Sequence, residues 1–210
     1  MRLLVTGFGP FPRMPRNPSA AMAREVAAAP RLRLHGIEAA PLVLTTAYGS
    51  LPAELDPALA AGPDLLLLLG VAGRASRVRV EERSTPRRST LFSDARGARP
   101  ELGAGLGAAP RRTRVRITPV LRSLARHRIE ARRSRDAGRY LCNAAYFRAL
   151  ARTGPTLFVH IPLVPKPRRA GRRGRLAGAS WRRALAAALV EIVIGMGPAA
   201  RRFVVSAAIR

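Results

Sequence analysis

The chain has 210 residues, 48% of them hydrophobic, the content of a globular protein long enough for one domain with a substantial core. Its single cysteine excludes an internal disulfide, and the run from Met1 to Val5 is too short before Gly7 and Pro10 for a signal peptide, so a reducing, cytoplasmic setting is expected. The most apolar late stretch, Ala184 to Ala200, is broken by Glu191, Gly195, Gly197 and Pro198 and falls short of the roughly 20 apolar residues of a membrane span.

The formal charge of +26 would suit a polyanion partner, but almost all of it is arginine, with Lys166 the one lysine. The arginines are spread over Arg31 to Arg33, Arg74 to Arg88, Arg111 to Arg116, Arg122 to Arg135 and Arg168 to Arg175, with few aromatics between them to stack bases. Coding bias toward Arg, Ala, Gly and Pro accounts for the same composition, so the charge does not favour a dedicated nucleic-acid role.

In chain order, Arg2 to Thr6 reads as a short buried strand, and Gly7-Phe8-Gly9-Pro10-Phe11-Pro12 as a loop carrying two exposed phenylalanines. Asn17-Pro18 is a helix start, with the helix running from Ala20 to Ala28 and stopping at Pro30. Ile37 to Thr45 alternates as a strand, and Ser50 to Ala61 has helical spacing up to Gly62-Pro63. Leu65 to Leu69, five leucines in a row, predicts a central strand buried on both faces, with Gly70 to Arg74 the loop at its C-terminal end. Residues 77 to 82 alternate charged and apolar side chains as a half-exposed strand. The tract from Arg83 to Arg112 has no period and reads as a long irregular basic loop. Pro119 to His127 is a helix, Ile129 to Ser134 a strand, Tyr140 to Arg152 a helix, Thr156 to Ile161 a strand, Lys166 to Arg175 a basic loop and Ala179 to Ile194 a final helix. The tail from 195 to 210 has no assignable structure. Strands alternating with helices predict one three-layer α/β/α domain over residues 1 to 194 with a mostly parallel sheet.

Cys142, in the first turn of a helix, is the first candidate nucleophile, because unpaired N–H groups at a helix start favour the thiolate. By itself a lone cysteine is more often a small buried side chain. His160, ending an apolar strand, could take the thiol proton, and Glu81 or Glu82 could orient the imidazole. Those residues also have plain structural readings, as a core histidine and as countercharges for arginines. His35 and His127 lie in polar contexts with no partner spacing, no Cys/His/Asp cluster has metal-ligand spacing, and Gly103 to Gly107 lacks the setting of a phosphate loop.

Four segments in register resemble the pyroglutamyl peptidase I family (pyrrolidone-carboxylate peptidases, a cysteine peptidase family) from residue 1 to about residue 190. They are Leu4-Val-Thr-Gly7-Phe8-Gly-Pro-Phe11 with Asn17-Pro18, then Gly70-Val-Ala-Gly73-Arg74 with Val80-Glu81-Glu82-Arg83, Ala137-Gly138-Arg-Tyr-Leu-Cys142-Asn143, and Val159-His160-Ile-Pro162. The resemblance implies a phosphorylase/hydrolase-like fold, no cofactor, a cytosolic and often homotetrameric protein, and removal of an N-terminal pyroglutamyl residue from peptide substrates. Cys142 would be nucleophile, His160 general acid/base and Glu81 the orienting carboxylate, with Phe8, Phe11 and Val71 at the pyrrolidone ring.

The chain departs from the family pattern at four places. One extra residue after Arg74 makes Glu82 a rival to Glu81. Pro86-Arg87-Arg88-Ser89 replaces an Asn and Asp-Ala-Arg tract, leaving Arg88 as the candidate oxyanion arginine. Val71 stands where some members carry a polar residue, and Pro12-Arg13 replaces a Gly pair. An inactive or repurposed relative, and an arginine-rich nucleic-acid binder, are the alternative readings.

Overall fold

The computed structural model describes residues 1–12, 14–100, 108–152, 154–163 and 178–208, with 199–208 as helix backbone only. The predicted loop at 166–175 and the glycines at 103–107 lie outside these residues. The elements are β1 (Arg2–Phe8), α1 (Pro18–Ala27), α2 (Pro30–Leu34), β2 (Glu38–Leu44), α3 (Ser50–Ala60), β3 (Leu65–Ala72), β4 (Val78–Glu81), β5 (Arg83–Ser84), β6 (Arg111–Arg112), α4 (Ile117–Arg126), β7 (Ala131–Ser134), α5 (Leu141–Ala149), β8 (Thr156–Pro162) and α6 (Gly178–Ala208). The main sheet has the order β2-β1-β3-β8-β4-β7, and β4 with β8 is its one antiparallel pairing. This is the mostly parallel α/β architecture read from the sequence.

Because successive side chains alternate across a strand, the apolar runs feed two cores. Leu3, Val5, Leu65, Leu67, Leu69, Val78, Val80, Leu157 and Val159 pack against α1, α4 and α6 on one face. Leu4, Phe8, Leu66, Leu68 and Phe158 pack against α3 and α5 on the other. All five leucines of Leu65–Leu69 are fully buried. Truncating one of them to alanine is expected to cost about 2–5 kcal/mol.

The first turn after β1 is fixed by α1. Asn17 caps the helix by accepting from the Ser19 N–H and donates to the Gly9 carbonyl, while Ser19 Oγ accepts from the Phe8 N–H. A Cβ at Gly7 would lie 2.4 Å from the Ser19 carbonyl oxygen, so only glycine lets strand and helix approach this closely.

Several expectations need correction. Phe8 is not on an exposed loop: β1 runs two residues past Thr6, pairs Phe8 with Leu44, and buries the ring. Pro30 ends one helix but also starts another, α2, since proline suits a first helical position. The tract from Arg83 to Arg112 is bracketed by a short antiparallel ladder, β5 with β6. The 195–210 tail, left unplaced by its Gly and Pro, continues α6 as far as Ala208. Gly197 lets Met1 pack on the helix, where a Cβ would lie 3.0 Å from the methionine methyl. Among the described residues no helix is long and apolar enough to cross a membrane.

Candidate active site

The site forms at the C-terminal ends of β3 and β8, where the start of α5 meets the sheet. Gly70 on β3 is directly beside His160 on β8, and a Cβ on Gly70 would sit 2.8 Å from Cys142 Sγ and 2.8 Å from the Phe158 ring. The glycine that ends the leucine strand therefore makes room for the thiol. Cys142 is the second residue of α5 and is half-buried; Tyr140, in extended conformation, is the N-cap and makes no side-chain capping bond. The first-turn amides thus keep their dipole directed toward the thiol's neighbourhood.

His160 is 6% exposed and its Nδ1 lies 2.8 Å from Glu81 Oε1, inside a carboxylate that is wholly buried. Antiparallel pairing of β4 with β8 makes this possible, because Arg79 stands opposite His160 and Glu81 opposite Phe158 on one face. The Phe158 ring packs 4.7 Å from the imidazole and Tyr146 packs on Phe158 at 5.3 Å, while the Tyr146 hydroxyl donates to the Glu81 carbonyl. Burial alone would push the His160 imidazolium down, but hydrogen bonds to Cys142 and Glu81 outweigh it and raise its pKa to about 9. With Nδ1 engaged by Glu81, Nε2 is left for Cys142.

Of the two rival carboxylates, the structure brings Glu81 to His160 and takes Glu82 away. Glu82 pairs instead with Arg112 at 3.3 Å and Arg135 at 3.5 Å. The predicted ring contacts are placed unevenly: Phe8 is in the same apolar cluster that Cys142 packs against and Phe11 is partly buried, whereas Val71, next to Gly70 and paired with Ile161, turns its side chain to the opposite face of the sheet, so that expectation is corrected. Arg88 is exposed, with its guanidinium 5.9 Å from the Tyr48 ring centroid.

Three residues that sequence reasoning gave no role hold the site together. Asn143, fully buried, donates to the carbonyls of Thr85 and Arg87 and accepts from Ser84 Oγ and the Thr85 N–H. It ties the basic loop to the residue next to the thiol. Asp94, also buried, accepts from the N–H groups of Tyr48, Arg96 and Ala98. Tyr48 stands edge-on to Tyr140 with ring centroids 5.8 Å apart, and its buried hydroxyl has no partner among the described residues. Burial, then the neighbouring Tyr140, raises the Tyr48 pKa. Tyr140 is pushed up to about 12, chiefly by burial. Asn143 was visible in its motif, as the polar residue after the cysteine. Asp94 and Tyr48 gave no signal beyond lying in loops.

The arrangement of thiol, imidazole and carboxylate is that of a nucleophile, a proton carrier and an orienting group.

The family model for pyroglutamyl peptidase matches residues 1–196. The pyrrolidone-carboxylate peptidase of Bacillus subtilis is 27% identical over 179 residues, spanning 79% of this chain and 80% of that protein. The enzyme of that name from Chromobacterium violaceum is 30% identical over 172 residues, 78% and 79% of the two chains. The crystal structure of pyrrolidone carboxyl peptidase from Thermus thermophilus superposes with a TM-score of 0.75 at 28% identity, covering 91% of this chain and 99% of that one. On the match to nearly its whole length, and on a fold shared with those enzymes, the chain belongs to the pyroglutamyl peptidase family of cysteine-type omega-peptidases.

Proposed function

We propose that the chain hydrolyses the amide bond after an N-terminal pyroglutamyl residue, with Cys142 as nucleophile, His160 as general acid and base, and Glu81 as the group that holds the imidazole. The observation that carries this reading is the buried 2.8 Å contact of Glu81 Oε1 with His160 Nδ1, which leaves the other ring nitrogen for the thiol that helps to raise the His160 pKa. The thiolate adds to the carbonyl carbon, and the oxyanion is met by backbone N–H groups at the start of α5. His160 then protonates the departing amine as the carbon–nitrogen bond breaks, leaving a thioester on Cys142. A water molecule, deprotonated by His160, attacks the thioester and releases 5-oxoproline, returning the proton to the sulfur. Phe8 and Phe11 border the ring of the departing acyl group.

Release of the fluorophore from a pyroglutamyl coumarin amide tests the assignment. Cys142→Ala is expected to lower turnover on the order of 10⁶-fold. Turnover that survives this substitution would sink the mechanism.

A further inference from the structure

Beside the proposed triad lies a cavity of about 330 Å³ walled by Arg74, Ala75, Ser76, Arg77, Arg79 and Arg132. Pairing across the sheet runs Gly70, His160, Arg79, Arg132 along β3, β8, β4 and β7, so these residues share the face that carries Cys142. Arg79 is thus the cross-strand neighbour of His160, on the side away from β3 and β1. Its Nε is buried without a hydrogen-bond partner. Such a donor is costly unless an acceptor arrives. Among the described residues the ion pair made by this cluster is Arg77 with Glu130 at 3.7 Å, both more than half exposed. A second arginine-lined pocket, at Arg111, Arg112, Arg114 and Arg152, also holds a buried Nε without a partner among the described residues, that of Arg152, so the position of Arg79 beside His160 is what distinguishes the first. There Arg111 donates to the Phe147 carbonyl and lies 4.0 Å from its ring, and Arg112 pairs with Glu82.

On the peptidase reading above, we propose that the Arg74/Arg77/Arg79/Arg132 cavity is a carboxylate-binding subsite for the peptide that follows the pyroglutamyl residue. The direction follows from strand order. The pyrrolidone ring lies toward Phe8 on β1, and His160 must face the leaving amine. The rest of the peptide therefore continues over β4 and β7. Strands are spaced about 4.8 Å apart, so Arg79 is one strand and Arg132 two strands from His160. An extended peptide advances about 3.3–3.6 Å per residue, which puts a carboxylate of the first or second residue after the scissile bond within reach of both. That carboxylate is either an acidic side chain or the free C-terminus of a short peptide, and guanidinium forks bind either one.

The test compares kcat/KM within two substrate pairs: pyroglutamyl-Glu-amide against pyroglutamyl-Gln-amide for the side chain, and pyroglutamyl-Ala against pyroglutamyl-Ala-amide for the terminus. The acidic member of at least one pair is expected to be better by about tenfold, the scale of one charge-assisted hydrogen bond. The ratio should fall toward one in Arg132→Gln, which alters an exposed position on the edge strand, and in Arg79→Gln. It should persist in the double variant Arg31→Gln/Arg33→Gln, which removes two exposed charges from α2. Ratios of one for both pairs in the unaltered chain, or an equal fall in the α2 variant, would overturn the proposal. If no pyroglutamyl substrate is cleaved, the peptidase reading fails, and calorimetric titration with glutarate decides the cavity alone: weaker binding in Arg132→Gln supports it and equal binding overturns it. Single-stranded RNA binding that Arg132→Gln weakens, with both ratios at one, assigns the surface to a polyanion and overturns it as well.

Discussion

Two histidine–carboxylate pairs in this molecule have the same length and different meanings. His160 Nδ1 lies 2.8 Å from Glu81, and His127 Nε2 lies 2.8 Å from Glu191. The first is enclosed, with side-chain exposures of 8% and 0%, and the open side of its ring faces a thiol. The second joins α4 to α6 at the surface, both side chains 24% exposed, and its carboxylate is shared with Arg126. A pair distance therefore does not mark a site; what surrounds the pair does. In the buried pair the imidazole is the one hydrogen-bond and ion-pair partner of the carboxylate among the described residues, so charge accumulates on the ring that faces Cys142. In the surface pair Arg126 is the main partner, and its hydrogen bond outweighs burial to hold Glu191 down to about 2.

The largest expected difference between the pairs is catalytic. Glu81→Gln should lower kcat by about 10⁴-fold, because the ring loses both its tautomer and its countercharge. The alkaline limb of kcat/KM, expected near the His160 value of about 9, should move to lower pH in the same variant. Equal activity losses for Glu81→Gln and Glu191→Gln would erase the distinction.

Gly70→Ala tests the buried side from the other direction. The added Cβ must displace Cys142 Sγ or the Phe158 ring, each 2.8 Å away, and a shift of this kind is expected to cost about 10²-fold in kcat. Unchanged turnover would mean that the thiol has room to spare.

Stability against pH separates the pairs again. The His160 value is raised from 6.5, so its contribution is fully present below about 6.5 and fades as pH rises through about 9. The Glu191 value is lowered from 4.5, so its contribution is present above about 4.5 and fades as pH falls toward about 2. Thermal melts across this range should show Glu81→Gln flattening the alkaline decline and Glu191→Gln flattening the acid one. At neutral pH the smallest effect belongs to Glu191→Gln: under about 1 kcal/mol of stability by denaturant titration, and no change in turnover.

The sheet was legible because its strands are written as uninterrupted apolar runs, Leu3–Val5, Leu65–Leu69 and Leu157–Val159, that have no other way to be buried. The start of α2 and the end of α6 were harder, since Pro30, Gly197 and Pro198 are local breakers whose outcome depends on neighbours such as Met1 that only the fold brings near. Phe8 was misread for a related reason: the turn residues after it concealed that its strand continues beside Leu44. The three proposed catalytic side chains stood out by residue type and order. Choosing Glu81 over Glu82 required strand alternation, which aims adjacent residues at opposite faces. Asp94 and Tyr48 were invisible because the hydrogen bond that joins them spans 46 residues and the Tyr48 hydroxyl has no partner among the described residues.

The two clamps on the basic loop divide it into stretches with different evolutionary freedom. Asn143 fixes the backbone from Ser84 to Arg87, and Asp94 fixes it from Arg96 to Ala98 against Tyr48. Between them, Leu91 and Phe92 project outward, 77% and 58% exposed. Residues can be added or lost in that interval while both anchor points keep their partners. The tip beside the active site is thereby a place where relatives can diverge in length, and in what they recognise, while Cys142 stays where the helix puts it.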